Sequence, residues 1–257
     1  MPDHTARRGL GLIAAAPPDA LDASLRGYAD AGLLDLFAER VMVVRGETGP
    51  WQAVADRHRF EVRAATDALP EADLAQAMRA EVVLLCDGTP LVAEPPRVAA
   101  QIGAGTDLLL SGRAQLVRLR TRDAASERPI RRAYRRYHGV GLLPALRRAV
   151  RPRRARLVAG GAPYVQEAGS ARRGADRAHR GLIDRADDGT YLVAAACLPF
   201  ASRAVLLRRA FLDDPILTHA QARGARSVDA AWRGRRWRTS GWHVGVPEGL
   251  FGDGPSS

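Results

Sequence analysis

The stretch Glu81–Pro90, EVVLLCDGTP, is a run of five apolar residues stopped by an Asp-Gly turn. An apolar run of that length between turn signals is a strand buried on both faces, and Asp-Gly ends it sharply. Upstream, strand-like and helix-like segments alternate. Leu10–Ala15 is a short apolar run, and Leu21–Phe37 has Leu21, Leu25, Tyr28, Leu33 and Leu36 near one helical face, with Asp19 or Asp22 as the cap. Val41–Val44 is a second strand, Trp51–His58 a short helix and Phe60–Ala64 a third strand. Pro70–Ala80 is a helix opened by proline, with Glu71 and Asp73 in its first turn. Strands joined by such helices pair in parallel, with helices on both faces. Ligands of these sheets bind beyond the carboxyl ends of the strands, where Asp87 stands.

Downstream the pattern predicts a helix over Pro95–Ala104, strands at Leu108–Leu110 and Gln115–Arg120, a strand at Tyr191–Ala196 and a helix over Arg203–Phe211. Residues 123–188 are rich in arginine and glycine, and read as an insertion holding one helix near Gly141–Val150. The expected organisation is a single domain over 1–257. It has a first half with the alternating strands and helices at 1–122, the Arg-rich insertion at 123–188 and a last half at 189–257.

Composition narrows the classes. The chain has 257 residues, 46% of them hydrophobic, enough for a packed core. No apolar run nears the roughly 20 residues of a membrane helix. The start, MPDHTARRGLGLIAAAPP, superficially resembles a signal peptide, but its apolar part breaks at Pro17-Pro18 and reads better as a strand. Cys86 and Cys197 both lie in apolar runs, so reduced, buried thiols and a cytoplasmic location are expected. The net charge is +11, and all 39 basic residues are arginine. Residues 113–185 hold 20 Arg against 5 acids, so the excess sits in one segment. It faces either a diphosphate, an anionic acceptor or an anionic membrane surface, or simply solvent.

Several residues are candidates for chemistry. Asp87 at a strand end suits Mg²⁺ or Mn²⁺ bridging a diphosphate, because such ions take one or two carboxylates and further oxygens from phosphate. The same Asp is also a plain turn former before Gly88. Arg118, Arg120 and Arg122 alternate along a strand and either bind phosphate or stand as surface charge. Trp232, Trp237 and Trp242, at five-residue spacing, either stack on a sugar or acceptor ring or pack in the core. The histidines have no metal-ligand spacing, and neither a phosphate-binding glycine loop nor a nucleophilic serine elbow is present.

Three segments carry a resemblance. The strand ending in Asp87, the stretch LLLSGRAQLVRLRTR at 108–122, and the tail WRGRRWRTSGWHVGVPEGLFGDG together resemble the WavE-type lipopolysaccharide-synthesis glycosyltransferases. About two-thirds of the chain is covered, the Arg-rich middle excluded. The resemblance implies a GT-A-like α/β fold, with a mixed, mostly parallel sheet and a Rossmann-like nucleotide-binding half. It also implies inverting sugar transfer from a nucleotide-sugar donor to a cell-envelope glycan or a small-molecule, secondary-metabolite acceptor. By that likeness Asp87 and Asp253 hold the metal, Asp87, Arg118 and Arg120 bind the donor, and Trp232 and Trp237 contact substrate. Asp229 is then the catalytic base, with Glu248 as its competitor; a helix-capping role for Asp229 is the plain alternative. The chain departs from the pattern in two places. Gly88 and Thr89 follow Asp87 where GT-A enzymes commonly carry Asp-x-Asp, and Asp253 stands where the family-like ending has histidine. Arg233–Trp237 resembles the QxxRW signature of processive sugar polymerases, with Arg in place of Gln.

Two other function classes compete. A non-catalytic relative would keep the sheet and bind a partner through the Arg-rich segment, which the missing second aspartate favours. A nucleic-acid-binding protein would lose affinity with salt at a slope of about −0.9 per phosphate contact. The few aromatics of residues 113–185, Tyr134, Tyr137 and Tyr164, give it little stacking capacity, so nucleic acid is the least favoured partner.

Overall fold

The computed structural model describes residues 8–66, 68–165, 174–232 and 235–253. Strands β1 (Arg8–Ile13), β2 (Glu39–Val44), β3 (Glu61–Ala64) and β4 (Val82–Cys86) alternate with helices α1 (Pro18–Asp30), α2 (Gly49–His58) and α3 (Pro70–Ala77). Helix α4 (Pro95–Leu110) leads to β5 (Leu116–Arg118), then come α5 (Arg128–His138), α6 (Leu142–Val150), α7 (Pro152–Val158) and α8 (Ala175–Ala178). The chain returns through β6 (Ile183–Arg185), β7 (Tyr191–Ala194) and β8 (Val205–Arg208). The helical turns α9 (Arg209–Phe211), α10 (Thr218–Ala222), α11 (Val228–Ala231) and α12 (Arg235–Arg238) precede β9 (His243–Val246).

The strands form one nine-stranded sheet in the order β3-β2-β1-β4-β8-β5-β9-β7-β6. The first four are mutually parallel, as their helical crossovers require. Strand β8 runs antiparallel between β4 and β5, β9 is parallel to β5, and β7 and β6 close the edge antiparallel. The sheet is therefore mixed, with parallel pairing concentrated in the first half. Alternate residues feed two cores. Leu10, Leu12, Met42, Val44, Val82, Leu84 and Cys86 face α1, α2 and α4. Val41, Val43, Val83 and Leu85 face α3 and the C-terminal turns. This period-2 division explains the continuous apolar runs: both faces are covered.

Several sequence expectations are corrected. Leu108–Leu110 is the last turn of α4 and not a strand, because Val98, Ile102, Leu108 and Leu109 keep helical spacing onto the sheet. Gly105 permits that approach: a Cβ there would lie 3.2 Å from Leu206 and 3.5 Å from Val117. The expected helix at Arg203–Phe211 is instead strand β8, whose apolar Val205–Leu207 is buried on both faces between β4 and β5. The expected helix to Phe37 stops at Asp30, and Gly32 turns the chain at φ +69° before a 3₁₀ turn at Leu34–Leu36. Neither Asp19 nor Asp22 caps α1; Asp22 is buried and bonded to His58. The described residues of the Arg-rich middle form four α-helices, α5 to α8, where one was expected. Ile130 and Tyr134 of α5 pack onto the main core, and Gly161 lets the following turn meet them. Residues 1–7 and the Arg233-Gly234 part of the QxxRW-like motif lie outside the described residues.

Candidate functional site

The strand order places a topological switch between β1 and β4. From β1 the chain winds outward to β2 and β3, then crosses back to β4 on the opposite side of β1. The loops leaving β1 and β4 therefore diverge, and the crevice between them is where such sheets take ligands. Asp87, directly after β4, stands at this point. Its turn is specified locally: Gly88 has φ +84°, which disfavours any side chain. A Cβ on Gly88 would also come within 2.7 Å of Leu21 in α1.

Asp87 is held on both oxygens. Its Oδ1 accepts the Thr89 hydroxyl and, at 3.1 Å, the Thr89 N–H. Its Oδ2 accepts Arg120 Nη2 at 3.2 Å, and the same nitrogen donates to the Thr89 hydroxyl oxygen at 3.2 Å. Tyr28 of α1 donates its hydroxyl to the Thr89 carbonyl, which pins the turn to the helix. Arg120 also reaches Ser126 at 3.4 Å. The tail seals this region. Phe251 bridges both Leu91 and Arg120, and Gly249, at φ +97°, lies so close to the Arg120 carbonyl that a Cβ would fall 2.4 Å from it.

The three alternating arginines have three different fates. Arg118 is buried, where its Nη2 donates to both Glu127 carboxylate oxygens at 2.8 Å and its Nη1 to the Pro199 carbonyl at 3.1 Å. Burial works against its charge, but Tyr164 and Glu127 outweigh that and raise its pKa. It is a core ion pair, so of the two arginines expected to bind a donor only Arg120 stands beside Asp87 at the crevice. Arg122 donates to the Pro247 carbonyl at 3.0 Å and lies 5.1 Å from the Tyr191 ring centroid. Arg185 covers the same ring at 5.6 Å. Together with Gln101, Thr190 and Glu248 these groups line a cleft of about 480 Å³ at the carboxyl end of β9. Arg185 and the cleft itself are what sequence reasoning missed, since nothing local marks Arg185; Arg122 stood there only as phosphate-binding or surface charge.

The remaining candidates are placed as follows. Glu248 lines the cleft and pairs with Arg97 at 3.1 Å. Asp253 is exposed and accepts the Ala125 N–H, next to the Ser126 that Arg120 touches. Asp229, in α11, belongs to a cluster with Ser202, Arg203, Glu71 and Arg118 behind the strand ends. Burial raises its pKa above the ordinary carboxylate value, against the Ser202 hydrogen bond and the nearby arginines. Its Oδ1 is buried with no hydrogen-bond partner among the described residues. Arg203 of that cluster pairs with Glu71 at 2.7 Å. Trp232 and Trp237 correct the substrate-stacking expectation. They are 1% and 2% exposed, and their indole N–H groups donate to the Ile216 and Leu198 carbonyls at 3.2 and 2.7 Å. They pack with Phe200 and Trp242 into an aromatic core, which leaves no ring face for a sugar.

Among the described residues no three His, Cys, Asp or Glu side chains gather as a metal cage. Asp87 offers one carboxylate, already shared by Thr89 and Arg120. That donor set fits a hard cation that draws most of its oxygens from a diphosphate and water, and does not fit one enclosed by protein ligands.

Fold and site together define an α/β chain with a switch-point crevice, lined by one carboxylate and one guanidinium, beside a cleft lined by Arg122, Arg185, Asp188 and Glu248. No protein-family profile matches the chain, and no curated protein matches it. Among solved structures it is similar to glucosyl-3-phosphoglycerate synthase from Mycobacterium tuberculosis in complex with Mn²⁺, UDP and glucosyl-3-phosphoglycerate. The identity is 16% and the TM-score 0.40, over 80% of this chain and 58% of that one. A second is a mycobacterial protein, with 17% identity and a TM-score of 0.40 over 80% and 54% of the two chains. The same synthase with Mg²⁺ and UDP matches at 22% identity and a TM-score of 0.36, over 54% and 53%. The chain thus spans little more than half the length of these structures, and overlaps of this size assign no activity.

Proposed function

We propose that this chain is a nucleotide-sugar-dependent glycosyltransferase of the GT-A-like kind, with the donor diphosphate in the switch-point crevice. The observation that carries the reading is Asp87, placed at the carboxyl end of β4 where the strand order reverses, with Arg120 and Thr89 on its two oxygens. In this reading Arg120 turns from Asp87 onto a phosphate oxygen as the donor enters, exchanging one charge-assisted hydrogen bond for another. Mg²⁺ or Mn²⁺ arriving with the diphosphate would take a freed oxygen of Asp87, with exposed Asp253 as a second carboxylate at the margin. Such an ion supplies neutralisation of the leaving nucleoside diphosphate.

The acceptor occupies the cleft at Arg122, whose lining sets Arg122 and Arg185 against Asp188 and Glu248 and so suits a hydroxyl-bearing acceptor held by mixed polar contacts. Glu248, at the wall of that cleft, is the base that takes the acceptor hydroxyl proton. Asp229 is the second candidate. Its raised pKa and unpartnered oxygen suit a base, but it lies behind Ser202 and not along the cleft. A cell-envelope glycan and a secondary metabolite are both acceptors of this kind, and inversion by direct displacement is the stereochemical course. A binding protein that has lost transfer activity is the second reading, supported by the Arg120–Asp87 pair standing where a second carboxylate would serve a metal.

A thermal-shift screen of nucleoside diphosphates with and without Mn²⁺, on the wild type and Asp87→Ala, tests the reading. A ligand that binds only the folded state raises the melting temperature. A metal-dependent rise with UDP or GDP that disappears in Asp87→Ala supports donor binding, and no rise with any nucleotide overturns it.

A further inference from the structure

We propose that α5–α7 form a docking face for an anionic lipid bilayer, with α6 lying in the interface. Residues 128–165 contain eleven arginines and no acidic residue. Helix α6 turns an apolar ridge outward: Leu142, Leu143, Leu146 and Val150 are 60 to 89% exposed, and Val140, just before the helix, is fully exposed. These residues recur at three- and four-residue spacing, so they form one stripe. They make up five of the six large hydrophobics exposed among the described residues, and all five fall within eleven positions. Contiguous apolar exposure of this kind marks an interaction surface.

Arginines rim the stripe. Arg147 and Arg148 reach back to the Arg136 and Tyr137 carbonyls, joining α6 to α5. Arg128, Arg132, Arg135 and Arg136 on α5, and Arg151, Arg153, Arg154 and Arg156 around α7, stand exposed beside it. A short helix with an apolar face and cationic flanks seats its apolar side chains at the headgroup–acyl boundary while guanidiniums bind lipid phosphates. Each cation near an anionic leaflet strengthens binding roughly fivefold.

Charge selects the occupant. A second copy docked on this face would set eleven arginines against eleven. A nucleic acid would use the arginines but leave the leucines in water, and Tyr137 and Tyr164 are buried away from stacking. A bilayer satisfies both features at once. Helix α5 starts two residues after Ser126, which touches Arg120, so its first turn lies next to the candidate crevice. The surface itself stands whether or not the chain transfers sugar.

The test is co-sedimentation of the full chain with vesicles of phosphatidylcholine alone, and with vesicles in which about a third of the lipid is phosphatidylglycerol. Expected are binding to the anionic vesicles only, weakening between about 0.1 and 0.5 M salt, and an affinity about tenfold lower in the Leu142→Ser/Leu146→Ser variant. Both leucines are exposed, so the variant keeps the wild-type melting temperature. Equal binding to both vesicle types, or no loss in the variant, overturns the proposal. So does a solution dimer that the two serines dissolve, or RNA binding that anionic vesicles fail to compete.

Discussion

Arg120 Nη2 lies 3.2 Å from Asp87 Oδ2 and equally far from the Thr89 hydroxyl, so one guanidinium ties the end of β4 to the segment after β5. The pair is about four-fifths buried. Removing the guanidinium leaves Asp87 free to meet a cation, but removes a donor to phosphate. Arg120→Ala is therefore expected to weaken nucleoside-diphosphate binding about tenfold while leaving its Mn²⁺ dependence intact. Asp87→Asn is expected to abolish the Mn²⁺ dependence. Isothermal titration with UDP or GDP, with and without Mn²⁺, separates the two effects.

The two base candidates differ in access. Glu248→Gln is expected to lower kcat about a hundredfold or more with the nucleotide affinity unchanged, as loss of a general base does. Asp229→Asn is expected to act mainly on stability, since Asp229 lies in a packed cluster. Steady-state rates with a competent acceptor and a melting curve for each variant decide between them, and the reverse pattern exchanges their roles.

Glu127 compensates a buried cation. Glu127→Gln leaves Arg118 charged in the core without its carboxylate, and breaking such a pair costs about 3 kcal/mol or more. For a chain of this size that lowers the melting midpoint by roughly 6 to 12 °C, measurable by calorimetry.

Tyr134, His138 and His179 pack ring against ring between α5 and α8, with His138 and His179 centroids 4.8 Å apart. Burial first, and then the His138 charge, hold His179 down at about 4. The unfolded chain protonates His179 below its ordinary 6.5 while the folded chain resists until about 4. Stability is therefore full above pH 6.5 and falls as the pH drops from 6.5 to 4. The loss is on the order of 1–2 kcal/mol for a group still partly hydrated, and His179→Phe is expected to flatten it. Asp22 acts in a lower window. His58, then Arg57 and Arg26, hold its carboxyl at about 2, so its contribution is present above pH 4 and lost as the pH falls through 2. Urea titrations across pH separate the two.

Gly249→Ala is expected to unseat the tail from the Arg120 carbonyl, since both the backbone angle and the 2.4 Å approach exclude a Cβ. Lost protection of the Leu250 and Phe251 amides, both bonded to Leu119, would register it in hydrogen exchange.

The sequence by itself determined the first half of the sheet. Continuous apolar runs at β1, β2 and β4, separated by proline-opened helices, have one economical solution, a parallel sheet covered on both faces. Asp87 at a carboxyl end followed directly from it. Only the tertiary structure decided the second half. Val205–Leu207 reads as part of a helix over Arg203–Phe211, and its place between β4 and β5 makes it a strand, because its pairing partners are distant in sequence. The same holds for side-chain fates. Arg118, Arg120 and Arg122 are equivalent in spacing, yet Glu127, Asp87 and Tyr191 sort them into core pair, crevice and cleft. Trp232 and Trp237 look exposed among arginines, and long-range packing with Phe200 buries them. Local propensity fixes elements, whereas burial and charge pairing depend on which distant groups the fold brings together.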